Sequence, residues 1–140
     1  MACNNEPSME RIATMEKQVS KIENKYQETE TAFNELVEDC IEFDEKLRNE
    51  NNPRPEMQLL RAYLQQYEDE RIPMKEEIDY SKSQLSDLKD DFENGLYDET
   101  QREEYLASEE KAVKTLNAKL DYFLDRFEKQ SEFIKSFEKQ

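Results

Sequence analysis

The sequence predicts an all-α protein, an antiparallel up-down-up three-helix bundle of long, coiled-coil-like helices with a Pro kink in the second. Three observations predict it. Apolar residues recur in alternating steps of three and four along most of the chain, which holds them on one helical stripe and implies left-handed supercoiling. The composition of the 140 residues, with one Gly, four Pro and 39% charged side chains, suits long helices with solvated outer faces. Two short breaks divide the pattern into three segments of similar length.

The first seam is Ile12, Met15, Val19, Ile22, Tyr26, Thr29, Phe33, Leu36, Cys40, Phe43 and Leu47, with Thr29 its polar member. Ser8 is the expected N-cap, with Glu10 near the positive helix end. The helix is expected over about 8–50, with residues 1–7 disordered. The break at Asn49–Pro55 contains two prolines. Arg54 precedes one of them, which disfavours helical angles, and Pro55 needs no amide partner in a first helical turn.

The second helix is expected over about 55–94. Its seam runs Met57, Leu60, Leu64, Tyr67, Arg71, Met74, Ile78, Ser81, Leu85, Leu88 and Phe92. Pro73 lies inside this pattern, where it removes a backbone hydrogen bond and crowds the preceding turn. The register resumes beyond it, so a kink is expected and not a break. Gly95 suits the left-handed position just past a helix. Either Asp98 with Gln101, or Thr100 with Glu103, reads as a capping box for a third helix over about 98–139. The third seam is Leu106, Glu109, Val113, Leu116, Leu120, Phe123, Phe127, Gln130, Ile134 and Phe137, widened by Tyr105, Ala112, Leu124 and Phe133. Segments of about 40 residues are about 60 Å long, and short turns make consecutive helices antiparallel neighbours. One helical-bundle domain over 1–140 is expected.

Acidic residues number 35 against 20 basic ones, a formal charge of −15. Phosphate backbones and anionic lipid surfaces would be repelled, so neither nucleic acid nor membrane is an expected partner. The chain has no His and two Cys, which removes the usual residues of acid–base, nucleophilic and zinc chemistry. No catalytic residue, metal site, cofactor or small-molecule substrate is expected. An EF-hand loop counted from Asp90 places Gly95 correctly but puts Phe92 and Gln101 where ligands belong. Cys40 has no His to activate it and sits on the seam as a small hydrophobe; Cys3 is an unsuitable bridge partner for it. A reduced, cytoplasmic protein follows, since the start carries no basic n-region or apolar run.

Polar residues interrupt the seams at Thr29, Arg71, Ser81, Glu109 and Gln130. They are read as fixing register, as buried polar groups do in coiled coils. Outside the seams lie Ile41, Leu59, Tyr63, Ile72, Tyr80 and Tyr122, the expected partner-binding residues. Matching layers around the turns pairs Tyr63 with Ile41, Ile72 with Tyr122 and Leu59 with Phe133.

The pattern resembles three-helix families such as spectrin-type repeats, the N-terminal bundles of syntaxins and the tubulin-binding cofactor A chaperones. The last comparison rests on the Pro-containing first turn and on Arg71-Ile72-Pro73 within the second helix. It implies shared architecture and transfers no functional residue. The expected function is that of a non-enzymatic protein–protein interaction module, an acidic helical rod acting as adaptor, scaffold subunit or small chaperone for a basic or helical protein. Two alternatives stand beside it: an acidic inhibitor that mimics nucleic acid to occupy a basic cleft, and a homo-oligomeric coiled-coil structural protein.

Overall fold

In a computed structural model, described over residues 6–138, three helices pack against each other and no strand occurs among these residues. They are α1 (Glu6–Asn49), α2 (Glu56–Glu93) and α3 (Glu99–Glu138). Helix α1 begins earlier than its expected cap. Glu6 and Pro7 are helical, so Ser8 lies inside the first turn and does not cap it. Pro7 suits that place, because first-turn amides lack partners and its fixed φ is already helical. Cys3, residues 1–5 of the segment expected to be disordered, and residue 139 of the expected third helix lie outside the described residues.

Both helix ends next to the turns close by the same device. After α2, the Gly95 amide donates to the Phe92 carbonyl at 3.1 Å and the Leu96 amide to the Asp91 carbonyl at 3.0 Å, with Gly95 at φ 68°. This pair of bonds is a Schellman motif, and it needs a left-handed residue. After α1, Asn51 stands at φ 54° while its amide reaches the Arg48 carbonyl and the Asn52 amide reaches that of Leu47. Asparagine tolerates this angle better than other non-Gly residues. Helix α3 starts with the first of the two expected capping boxes. Asp98 Oδ1 accepts from the Gln101 amide at 2.8 Å, and Gln101 Oε1 accepts from the Asp98 amide at 3.1 Å. Thr100, the alternative cap, lies within the helix.

Helix α2 is continuous through Pro73. The chain divides into two compact units: residues 1–24 with 74–118, and residues 25–73 with 119–140.

In the first unit, Ile12, Met15, Val19 and Ile22 of α1, Ile78, Leu85, Leu88 and Phe92 of α2, and Leu106, Val113 and Leu116 of α3 are buried as the spacing predicts. Ser81 and Glu109 are buried with them. Arg102, four residues before Leu106, is buried too, donating Nη1 to the Tyr97 carbonyl at 2.8 Å while its Nε finds no acceptor. Tyr105 and Ala112 do not widen the seam: both are exposed, and the Tyr105 ring lies 4.7 Å from that of Tyr97. Arg11 of α1 bridges Glu103 and Glu110 of α3.

Glu109 is 8% exposed, and its Oε2 has no hydrogen-bond partner. Burial therefore pushes its carboxyl above the ordinary 4.5. A carboxyl that is harder to ionise when folded leaves stability intact below that ordinary value. The stability is lost as pH rises through the folded-state value. Glu109→Gln is accordingly expected to match the parent near pH 4 and to gain about 1–2 kcal/mol at pH 7. Thermal melts of both chains between those pH values measure the widening gap.

In the second unit, the ion pairs Asp44–Arg61 and Glu30–Arg71 join α1 to α2 in opposite sequence order. Lys25–Asp121 and the Phe33–Phe127 ring contact join α1 to α3 in the same order. The core is aromatic. Tyr67 is fully buried, with ring centroids of Phe33, Phe123 and Phe127 at 4.9, 5.1 and 5.2 Å. Its hydroxyl is enclosed without a hydrogen bond of normal geometry. Removing an orphaned buried hydroxyl removes its desolvation penalty while keeping the ring. Tyr67→Phe is therefore expected to raise unfolding stability by about 1 kcal/mol in urea titrations, and a loss of that size would contradict an unpartnered hydroxyl.

Beside this ring a polar network replaces apolar packing. Arg71 Nη2 meets Glu30 Oε2 at 2.6 Å and Nη1 meets Glu68 Oε2 at 3.1 Å, while the guanidinium lies 4.8 Å from the Phe33 ring centroid. Tyr26 donates to Glu30 Oε1 at 2.7 Å. Thr29, fully buried, donates back to the Lys25 carbonyl at 2.7 Å. Leu64, Gln130 and Phe137 are half-buried, short of the full burial that their seam positions predict.

Candidate interaction surface

The six residues expected to bind a partner do not form one patch. Tyr63 and Tyr122 are brought together, and the group that joins them is not among the six. Arg126, one turn beyond Tyr122 on α3, places its guanidinium carbon 5.2 Å from the Tyr122 ring centroid and 5.7 Å from that of Tyr63 on α2. The Tyr122 hydroxyl donates to Gln66 Oε1 at 3.3 Å. Leu59, Tyr63 and Gln66 follow one another by four and three residues and so share a face of α2. Leu59 is half exposed on that face.

The alternation of steps explains the arrangement. Tyr122 and Arg126 each precede a buried phenylalanine, Phe123 and Phe127, by one residue. That offset of about 100° turns them out of the core toward the α2 flank. Arg126 Nε is buried without an acceptor, and its Nη1 lies 3.7 Å from Asp125, a loose pairing. Two phenol rings, a guanidinium with unused donors and an exposed leucine therefore stand side by side.

The remaining candidates lie elsewhere. Tyr63 faces α3 and not Ile41. Arg61, two residues away and so about 200° around α2, is the residue that reaches Asp44 on α1. Ile72 is nine residues beyond Tyr63, about half a turn round the helix, and the contacts join Tyr122 to Gln66 and Arg126 instead. Phe133 packs on Phe43 and Phe137. Ile41, Ile72 and Tyr80 are exposed singly, which is ordinary for a protein surface. Tyr80 belongs to the first unit.

Other chemistry is sparse. Cys40 is a buried free thiol whose pKa is pushed up by that burial, which disfavours the thiolate. Among the described residues no group of three or more His, Cys, Asp or Glu is poised for a metal ion, and no helix is long and apolar enough to cross a membrane.

No protein-family model, curated protein or solved structure matches this chain. The functional reading therefore rests on the surface itself.

Proposed function

We propose that this protein is a non-enzymatic protein–protein interaction module, an acidic helical bundle acting as adaptor, scaffold subunit or small chaperone. The observation that carries the reading is the Tyr63–Arg126–Tyr122 cluster with Leu59 beside it. Tyrosine and arginine are the side chains that dominate binding energy at interfaces, since rigid aromatic area and a planar cation bury with little loss of side-chain freedom. The partner is another protein, helical or basic. A helical partner would lay an apolar stripe against Leu59 and the two rings, while the charge of −15 speeds encounter with a basic flank.

Burial of the seam residues by the chain's own helices supports a self-contained module over a coiled coil whose seams pair between chains. The nucleic-acid mimic rests on charge alone and needs no aromatic cluster. Affinity capture of partners at two salt concentrations, with the parent chain, with Leu59→Ser plus Tyr122→Ser, and with Ile72→Ser plus Tyr80→Ser, separates these readings. The expected result is a partner lost with the first pair, kept with the second, and only mildly weakened by salt. A partner that ignores both pairs and dissociates steeply with salt would replace the groove binder by the mimic. Light scattering that shows a concentration-independent dimer would favour the structural assembly.

A further inference from the structure

We infer that the cleft beside the α1–α2 turn is a binding site for a short acidic peptide segment, one that places a carboxylate on Arg54 and an apolar side chain on the cleft floor. The cleft has a volume of about 530 Å³ and is lined by residues from Asp44 to Arg61. Its apolar part comes from Leu47, Pro53, Pro55 and Met57, and its charge from Arg48, Arg54 and Arg61 against Asp44. Three cations less one anion leave the lining at +2, in a chain whose total is −15. This local reversal of sign is the first reason for an acidic occupant.

The second reason is the state of the three arginines. Arg61 and Arg48 share Asp44, which their guanidiniums hold below the ordinary carboxylate range, Arg61 more than Arg48. Arg54 is different. Among the described residues no carboxylate pairs with it, and its Nε is enclosed without an acceptor. Its guanidinium carbon sits over the Phe137 ring, 4.1 Å from the centroid. Its backbone stands between Pro53 and Pro55, so one proline limits its angles and the other fixes the residue before it. An arginine held in place on both backbone and side chain has already lost the freedom that binding usually removes, and its planar fork suits a carboxylate.

Glu50 and Glu56 flank lining residues in sequence but do not line the cleft, and the remaining carboxylates are farther off. Screening at physiological salt acts over about 8 Å, so a bound carboxylate feels the cleft's own guanidiniums first. The apolar lining selects a peptide over a bare anion, because inorganic phosphate would leave the exposed rings of Pro53 and Pro55 uncovered, beside the already buried Leu47 and Met57. The site does not depend on the tyrosine–arginine surface, and its partner has the opposite charge.

The probe is a fluorescein-labelled hexapeptide of alternating leucine and glutamate, titrated with the full chain and followed by anisotropy. Amide shifts of the parent chain are followed in parallel. Binding with shifts concentrated over residues 44–61 is expected. Arg54→Gln is expected to weaken it at least about tenfold, and Arg54→Lys to recover only part of the loss. Arg11→Gln, in the other unit, is expected to leave it unchanged. Melting curves show whether each variant is folded at the assay temperature. If Arg54→Gln is not, Arg48→Gln plus Arg61→Gln takes its place. Unchanged affinity in these variants, shifts spread away from the cleft, or no binding by the parent at millimolar peptide would overturn the site. Displacement by inorganic phosphate as effective as by unlabelled peptide would overturn the peptide as its ligand.

Discussion

Phe127→Ala is expected to lower unfolding stability by about 3–5 kcal/mol. Phe127 is 1% exposed, and its ring lies 5.2 Å from Tyr67, 6.0 Å from Phe33 and 6.1 Å from Phe123. Rings from all three helices meet there. Truncation removes the buried ring's transfer free energy and opens a cavity that the three neighbouring rings cannot close by small rotations. Urea unfolding of the parent and variant, with unchanged dependence on denaturant, reads the difference directly. A loss under about 2 kcal/mol would mean that the helices close in on the space.

The second large effect belongs to a carboxylate. Glu30→Ala is expected to cost about 2–3 kcal/mol, whereas Glu68→Ala should cost less than about 0.5 kcal/mol, though both acids bind the same Arg71. The Glu30 side chain is 17% exposed and meets Arg71 at 2.6 Å; that of Glu68 is 54% exposed and meets it at 3.1 Å. Removing Glu30 strips the better acceptor from a half-buried cation and one of two acceptors from the Tyr26 hydroxyl, which also donates to the Arg71 carbonyl at 3.1 Å. Removing Glu68 leaves the Arg71–Glu30 pair intact. Equal losses from the two substitutions would show that solvent screens both pairs alike and that burial of Glu30 does not matter.

The helices were readable because burial follows period. Residues such as Leu60, Ile78 and Leu120, each completely buried, sit where steps of three and four place them. Local chemistry was readable too at Gly95 and Asp98, whose backbone roles follow from side chains of fixed reach. The first turn of α1 was not, because Ser8 competes as a cap with Pro7, and proline's preference for the first turn prevails.

The surface was harder. Arg126 does not stand out in a chain with 39% charged residues, and only the three-dimensional offset between α2 and α3 reveals that it lies between two tyrosines. Its one available signal was its place one turn after Tyr122, beside Phe127. Arg102 carried a clearer signal. Extending the third seam back by four residues from Leu106 lands on it, but a charge at that position reads as solvent-facing until its burial is seen.

The enclosed phenol of Tyr67 also gives the protein a built-in optical gauge of its own integrity. Burial, and secondarily the charge of Glu30, lifts this phenol far above the ordinary value of 10.0. At a pH just above that ordinary value it stays neutral in the folded chain and ionises once the core opens, so each unfolding event adds tyrosinate absorbance. The chain has seven tyrosines and no tryptophan, which leaves that near-ultraviolet band free of indole. The same linkage makes alkali a denaturant here, because the proton held by the folded phenol is released only as the chain comes apart.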